Sequence, residues 1–390
     1  MQYYKTARGN GRYIGQTRSY TIYSDSIDSP VKVEKKPADI IPGELVFNYG
    51  PSTGGMIESV RIAFSTPGEM IRSVAVDPTY KLRTIKLSGL SLKDAFILVE
   101  RINGYHSSSY QAAFLKAVED ALLTEQNTGL DEELILQMEL ERIRSHLNVL
   151  ERLCEPAGFG VPYHQIAQMR EEVTRMISSI FGHRYFFGVH NTPKPSVRIP
   201  AGIVTRTKDI ETRFALLFES LQDSKIFVNR LQGNGKIEKI WLVGPAARAA
   251  GYKYDARIDS PALDYGRYGF EPYIEDGKDA FARFLVRGNE IFSSFAIVNQ
   301  IISNGRPDQA NLMNIHGTGI GAARVESPQG DLFCYLSINN GSVERIEFCS
   351  PSVSNIIAFE QSMQGNIFTD FHFNWESFGI WISEAGVEIE

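Results

Sequence analysis

No group of side chains in this sequence forms a complete catalytic motif by itself. The chain has 390 residues and seven histidines, but it contains neither a His-Glu-x-x-His pair nor a Walker phosphate loop. His146 lies inside an apolar periodic segment, where a single histidine is more often a hydrogen-bonded core residue than a ligand. His183 and His190 lie in a glycine-containing loop without a carboxylate that would complete a metal site. These patterns alone therefore indicate no particular function.

A glycine-rich segment at residues 317–321 has the sequence Gly-Thr-Gly-Ile-Gly. A dinucleotide-binding loop of this kind follows a strand and opens a helix. Here the residues that follow, 323–327, have the pattern of a strand. We therefore predict a loop or a close backbone approach, for which glycine is the usual residue.

Two charged runs, at residues 139–142 and 170–172, lie on predicted helices. Their spacing is typical of a solvated helix face with i,i+4 ion pairs. We therefore predict that both runs face water.

The three cysteines, Cys154, Cys334 and Cys349, are odd in number and form no Cys-x-x-Cys pair. A disulfide framework and a cysteine-built zinc or iron–sulfur site are therefore not expected. The net charge of −6 argues against a nucleic-acid partner, since phosphate contacts need a basic surface. No run approaches the roughly 20 apolar residues that span a bilayer. The start of the chain also lacks an apolar signal segment. These features predict a cytoplasmic protein without its own membrane span.

The elements that would position any site are read from periodicity and turn signals. Short antiparallel strands are predicted between residues 44 and 88, and a hairpin is predicted around Asn340-Gly341, a strong turn signal. A helix begins after Ser91, whose pairing with Asp94 resembles a capping box. Further helices are predicted at residues 108–123, 131–154, 163–181, 208–231, 278–303 and 355–365. The fold class is therefore α+β, a central helix bundle with small antiparallel sheets from both ends of the chain.

Residues 1–42 are rich in lysine and arginine and show little apolar periodicity. We predict that they form an extended N-terminal arm that wraps a partner, with a disordered tail as the open alternative. Residues 43–390 form the main domain.

Several segments, taken in order, resemble the large subunit of nickel–iron hydrogenases and its relative, the quinone-site D-type subunit of complex I. The helix Glu-Arg-Ile-x-x-His-Leu of that family is matched at residues 141–147, and its Gly-Pro-x-x-Arg segment at residues 244–251. Other matching segments are residues 100–106, 283–287, 326–330 and 350–355. The resemblance runs from about residue 50 to the end and implies a hydrogenase large-subunit-like fold, related to energy-converting hydrogenases.

The four cysteines that hold the nickel–iron centre in this family are replaced here. The first pair of positions carries Asn103 and His106, and the second pair falls at Trp381 and Glu384. Soft thiolates suit that centre, and an amide, an imidazole, an indole and a carboxylate do not. We therefore predict no metal on this chain.

The complex I pattern is also incomplete. Residues 50–54 read Gly-Pro-Ser-Thr-Gly, where the related subunits carry Gly-Pro-His-His-Pro with a histidine at the quinone headgroup. The tyrosine of the family's Asp-Arg-Leu-Asp-Tyr motif aligns near Gly104, one residue before Tyr105. A standard quinone site is therefore not predicted.

The resemblance implies a large subunit of a membrane-associated redox complex, which couples electron transfer to a quinone or another small acceptor with ion translocation. The chain itself would bind no cofactor. Its partners would be a small subunit carrying an iron–sulfur cluster, a complex I C-type subunit and antiporter-like membrane subunits. The chain would be a peripheral subunit on the cytoplasmic face, active as an oxidoreductase only in that complex.

We place the candidate site in a cavity between the two former ligand segments. His106 and Tyr105 are the candidate proton donors, because imidazole titrates near neutral pH. Asn103, Arg101, Trp381 and Glu384 are the candidate binding residues. An equally weighted alternative is that His106 only fills the space left by the missing metal centre and forms hydrogen bonds with the backbone.

Arg101, Arg248 and Arg257 could lie near the partner's cluster, but structural pairing with Asp255 or Glu141 is favoured. Two other functions stay open. One is an inactive scaffold that docks the iron–sulfur subunit to the membrane arm, and the other is a redox site for a sulfur compound.

Overall fold

A computed structural model describes residues 45–52, 55–123, 128–190, 197–237, 242–259, 262–304 and 316–390, with the backbone of three short strands before them. Those strands are β1 (Tyr13–Gln16), β2 (Tyr20–Tyr23) and β3 (Val31–Lys32), which pair as an antiparallel sheet. The rest of the predicted N-terminal arm lies outside the described residues. The division into an arm and a main domain stays a prediction.

The predicted N-terminal strands are present as a second antiparallel sheet, with Phe47 opposite Phe64. Its β-branched and aromatic residues alternate and are bounded by turn residues, which favours strands. The strands of this part are β4 (Leu45–Tyr49), β5 (Arg61–Thr66), β6 (Ser73–Asp77) and the separate β7 (Arg83–Ile85).

Helices form the centre of the molecule. Their bounds are α1 (Leu92–Val99), α2 (Ser107–Leu122), α3 (Thr128–Cys154), α4 (Gly160–Phe181), α5 (Ile203–Asp223), α6 (Lys225–Leu231), α7 (Gly244–Arg248), α8 (Ala256–Asp259) and α9 (Ala280–Asn304). The capping box before α1 is confirmed, since the Ser91 side chain accepts a hydrogen bond from Asp94 N. In α3 the predicted apolar stripe is fully buried, at Leu136, Leu140, Ile143, Leu147 and Leu150.

The C-terminal part returns to strands and then closes on the N-terminal part. The Asn340-Gly341 hairpin is confirmed, and both residues have the positive φ that its turn requires. The last strand pairs in parallel with β7, more than 300 residues earlier. The elements are β8 (Gly319–Ser327), β9 (Gly330–Asn339), β10 (Ser342–Cys349), α10 (Pro351–Ser362), α11 (Phe371–Phe378), α12 (Ile382–Ala385) and β11 (Val387–Ile389).

The α+β fold class is therefore confirmed, whereas two local predictions are wrong. The single helix predicted at residues 208–231 is two helices, because Ser224 leaves the helical conformation and its side chain caps the second one. The charged run at residues 139–142 is buried, and Glu139, Glu141 and Arg142 have no exposed surface. Glu139 and Arg142 pair with each other, but the run also has partners on other elements, which local spacing does not reveal.

The glycine-rich segment is a point of close packing, as predicted, and it leads into β8. A Cβ at Gly319 would lie 1.9 Å from Ala121 O, and one at Gly321 would lie 2.3 Å from Ala121 N. These two glycines let β8 pack directly against the backbone of α2. Across the described residues, no helix combines the length and the apolar character needed to cross a membrane.

Replacing Gly321 by alanine tests this packing. We expect a loss of stability of about 1–3 kcal/mol, because the new methyl group must displace backbone atoms. Thermal unfolding of the purified protein should show a lower melting temperature. Gly68→Ala is the matched control, since a Cβ there meets no atom within 4 Å. Equal melting temperatures for the two variants would contradict the close approach.

Candidate functional site

The two segments that the sequence analysis grouped do meet in the structure. One is the turn between α1 and α2, which carries Asn103 and His106, and the other is the segment at α12, which carries Glu384. Asn103 Nδ2 donates to Glu384 Oε1 at 2.6 Å, and His106 Nδ1 lies 3.0 Å from the same oxygen. The side chains of His106 and Glu384 have 0% and 1% of their surface exposed. The turn between α1 and α2 is thus joined to the C-terminal segment through one buried carboxylate.

The second oxygen of Glu384 is held by hydroxyl groups at the start of α10. Ser350 Oγ donates to Glu384 Oε2 at 2.6 Å and Ser352 Oγ at 2.8 Å. Burial alone would raise the pKa of Glu384, but the hydrogen bond and charge of His106, with the hydrogen bonds of Ser350 and Asn103, leave it lowered. Glu384 is therefore an ionised, fully hydrogen-bonded carboxylate.

The ionised state of Glu384 fixes the proton position on His106. An imidazole nitrogen without a proton would present a lone pair to the carboxylate at 3.0 Å, which is repulsive, so Nδ1 carries a proton. On the other side of the ring, Nε2 lies 2.9 Å from Ser145 Oγ of α3. Gln329 Nε2 donates to the same hydroxyl at 2.9 Å. The ring is thus held at both nitrogens.

Aromatic rings cover this cluster. Tyr105 stacks on Trp381 with ring centres 4.7 Å apart, and His106 meets Trp381 edge-on. The Arg144 guanidinium lies 4.7 Å from the Tyr105 ring centre and also donates to Tyr105 O. The Tyr105 hydroxyl donates to Arg144 O at 3.4 Å, and burial, partly offset by Arg144, raises the pKa of Tyr105. Tyr105 is therefore fixed between the cluster and α3.

Two features of the predicted site differ from the structure. Arg101 is exposed, and its guanidinium lies over the Phe187 ring at 4.1 Å instead of facing the cluster. The predicted cavity between the two segments is filled, because Asn103, His106 and Glu384 contact each other directly. A cleft lined by Met56, Ile57 and Trp381, among others, holds about 20 Å³, room for about one water.

The donor set does not fit a nickel–iron centre. The Glu384 oxygens already accept hydrogen bonds, and the Trp381 indole offers no ligand atom. In the described part of the chain, no group of three or more histidine, cysteine, aspartate or glutamate side chains could hold a metal ion.

Sequence reasoning missed most of the groups that complete the cluster. Ser145, Gln329, Ser350 and Ser352 are common residue types in segments matched only as part of a resemblance. A Ser-Pro-Ser sequence before a helix is a capping signal, and Ser350 does cap α10. The same serine also binds Glu384, which no local pattern indicates.

A second buried polar group lies on the other face of α3. Arg248 contacts three carboxylates, Glu290 at 2.6 Å, Glu326 at 2.8 Å and Asp255 at 2.8 Å. Arg257 pairs with Asp255 at 2.8 Å, so the structural pairing favoured for these arginines is confirmed. Glu141 is not a partner of either one, because it accepts from Ser108 and Ser109 instead.

Burial raises the pKa of one residue of this network and lowers the pKa of another. Burial and the nearby Asp255 raise the pKa of Glu326 to about 7. His146 lies 2.7 Å from Glu290, and burial lowers the pKa of His146 to about 3, so its ring is neutral at physiological pH. His146 is thus a hydrogen-bonded core residue, as predicted.

Comparisons with known proteins relate this chain to the D-type subunits of complex I. A family model described as "Respiratory-chain NADH dehydrogenase, 49 Kd subunit" matches residues 157–319. The D-type subunit of the NADH-quinone oxidoreductase of Bacillus mycoides is 25% identical over 345 residues, which cover 83% of this chain and 93% of that protein. A D-type subunit of the same enzyme from Sorangium cellulosum is 27% identical over 364 residues, covering 86% and 92%. The chain is a homologue of these D-type subunits.

Among solved structures, the fold is shared with a chain of the membrane-bound sulfane sulfur reductase, an archaeal respiratory membrane complex. The TM-score is 0.79 and the sequence identity 21%, over 90% of this chain and all of that chain. At this identity the similarity concerns the fold.

The buried ion network gives a stability prediction. Arg248→Met leaves three buried carboxylates without their shared cation, and we expect a loss of about 3–5 kcal/mol. Thermal unfolding and the yield of assembled protein would report it. Adding Glu290→Gln should recover part of the loss, because Glu290 is an ionised carboxylate that Arg248 pairs with at 2.6 Å.

The control for this prediction is Arg175→Met. Arg175 forms an exposed pair with Glu171, so we expect a change below about 1 kcal/mol. A similar effect from both arginine substitutions would contradict the assigned role of Arg248.

Proposed function

We propose that this chain is the acceptor-site subunit of a membrane-associated redox complex related to complex I. Electrons from an iron–sulfur cluster on a small partner subunit would reduce a quinone or another small acceptor. Membrane partners, together with a C-type subunit, would use the released energy to move ions. The homology to the D-type subunits supports the class of complex, and the peripheral position agrees with the lack of a membrane-spanning helix among the described residues. We place the chain on the cytoplasmic face.

One observation carries the proposal for the site itself. His106 and Glu384 align with metal-ligand positions of the hydrogenases that the sequence resembles. In the structure they form a pair at 3.0 Å, which joins the turn before α2 to the C-terminal segment. A pair of this kind holds a proton where the related enzymes hold a metal. It cannot take up electrons, so its contribution would be to supply protons to an acceptor reduced beside it.

The protons would come from His106, with Tyr105 as the second donor. Glu384 orients the imidazole through Nδ1, as a carboxylate does for a catalytic histidine. Ser145 at Nε2 offers a route for the proton that replaces the one given up. The Tyr105 hydroxyl would first have to leave Arg144 O.

The acceptor would approach from the cleft at Trp381. The indole separates this cleft from His106, so a ligand reaches the pair only if Trp381 moves. Asn103 and Glu384 would then contact the acceptor or hold its neighbours in place. Arg101 faces Phe187 and would contact an acceptor only from the edge of the site.

A specific observation also favours the alternative of a scaffold. Asn103, His106 and Glu384 contact each other directly and leave no open space between them, as expected for a site that only holds two segments together. An inactive scaffold would dock the iron–sulfur subunit to the membrane arm and need no ligand. The two functions predict different turnover when His106 is replaced by a residue that cannot donate a proton to the acceptor.

Replacing His106 by glutamine tests this difference. Glutamine keeps a donor and an acceptor but does not titrate, so we expect turnover to fall about 100-fold and its pH dependence to flatten. The purified complex would be assayed with reduced methyl viologen as donor and decylubiquinone or polysulfide as acceptor. The fold shared with a sulfane sulfur reductase makes polysulfide worth testing.

His164→Gln is the matched control, because His164 is an exposed histidine on α4. Its turnover should equal that of the wild type. Unchanged turnover and an unchanged pH profile in His106→Gln, in an assembled complex, would exclude a proton role and support the scaffold.

A further inference from the structure

The segment that carries Trp381 and Glu384 has little structure of its own. The helix α12 within it has four residues, too few to hold a position without outside contacts. Trp381 N donates to Ser352 Oγ at 3.0 Å, which fixes the start of the segment. The next two backbone amides need another partner.

Glu58 supplies that partner from the loop between β4 and β5. Its Oε2 accepts from Ile382 N at 2.5 Å, and its Oε1 accepts from Ser383 N at 3.1 Å. One carboxylate therefore holds two consecutive amides between Trp381 and Glu384. Glu58 and Ile382 are 324 residues apart in sequence, and neither a glutamate nor an isoleucine at these positions predicts the contact.

Arg83 of β7 holds the same segment from its carbonyl side. Its guanidinium donates to Ser383 O at 3.0 Å and to Arg101 O at 3.2 Å, and also contacts Ile102 O. Arg83 thereby links the two former ligand segments just outside the buried cluster. A negative and a positive side chain thus hold opposite sides of one short stretch of backbone.

We propose that Glu58 is a positioning residue of the acceptor site, which holds Ile382 and Ser383 so that Trp381 covers Tyr105 and Glu384 reaches His106. The inference rests on the proposed function of the His106–Glu384 pair. Glu58 also lines the cleft beside Trp381, so it lies between the approach side and the pair that it positions.

The carboxylate form of Glu58 is essential to this role. Two backbone N–H groups need two acceptor oxygens, and a carboxylate offers both. A glutamine offers one, and its NH₂ group would face the second N–H. Burial raises the pKa of Glu58, although its hydrogen bonds to Ser383 and Ile382 act in the opposite direction. The hydrogen bonds from these two amides therefore stabilise the partly buried carboxylate of Glu58.

The substitutions Glu58→Ala and Glu58→Gln test the inference in the purified complex. Without the carboxylate, Trp381 is no longer fixed over Tyr105, and we expect the KM for decylubiquinone to rise about tenfold in Glu58→Ala and less in Glu58→Gln. The acid limb of the pH profile should move to higher pH, because the loss of the His106 contact raises the pKa of Glu384 by more than the removal of the repelling Glu58 charge lowers it. Hydrogen exchange at the Ile382 and Ser383 amides should become faster.

Glu69→Gln is the matched control, an exposed glutamate on the neighbouring loop between β5 and β6. It should leave the KM, the pH profile and the exchange rates unchanged. Arg83→Met should change the KM and the pH profile in the same direction as Glu58→Ala, because it releases the same segment.

The outcomes separate this inference from the proposed function. Faster exchange with an unchanged KM and pH profile in Glu58→Ala would overturn the positioning role, because the contact would then be structural only. If His106→Gln is inactive in that case, the proposed function still stands. If both variants turn over normally, both proposals fail. A changed KM together with a shifted pH profile, absent from Glu69→Gln, would support the inference.

Discussion

The structure depends on one buried carboxylate and the groups that must satisfy it. An ionised side chain without exposed surface is unfavourable unless hydrogen bonds replace its water. Glu384 obtains them from Asn103 and His106 near one end of the chain and from Ser350 and Ser352 near the other. These contacts join the segment between α1 and α2 to the C-terminal segment of the chain. The same contacts orient the imidazole that we propose as a proton donor.

The helix α3 connects this cluster with the ion network behind it. Ser145 and His146 are neighbours in sequence and point to different sides, one toward His106 and the other toward Glu290. Arg248 neutralises much of the charge that Glu290, Glu326 and Asp255 bring into the core. A buried layer of ion pairs thus lies behind the candidate site, whereas the segment at Trp381 in front of it is held by a few contacts to its backbone. This contrast explains why we expect ligand access on the Trp381 side.

Much of the fold could be predicted from the sequence, because apolar periodicity and turn residues act locally. The buried stripe of α3 and the Asn340-Gly341 hairpin are examples. The prediction that the charged run at residues 139–142 faces water is wrong, since the run is buried and also pairs with residues far away in sequence. Arg257, for example, lies 3.7 Å from Glu139.

The site was predicted in part, through resemblance and not through local pattern. Matching the four former ligand positions brought Asn103, His106 and Glu384 together correctly as neighbours, while their roles stay a proposal. The filled space between them depends on side-chain contacts that no motif encodes. Glu58 could not be found from sequence, because its partners are backbone amides 324 residues away.

The most direct test of this account is a map of the purified complex, obtained by cryo-electron microscopy at a resolution that shows side chains. We expect continuous density in which the His106 ring and the Glu384 carboxylate touch, with no metal between them. A metal ion bound between Asn103, His106 and Glu384, with these side chains turned toward it, would contradict the account.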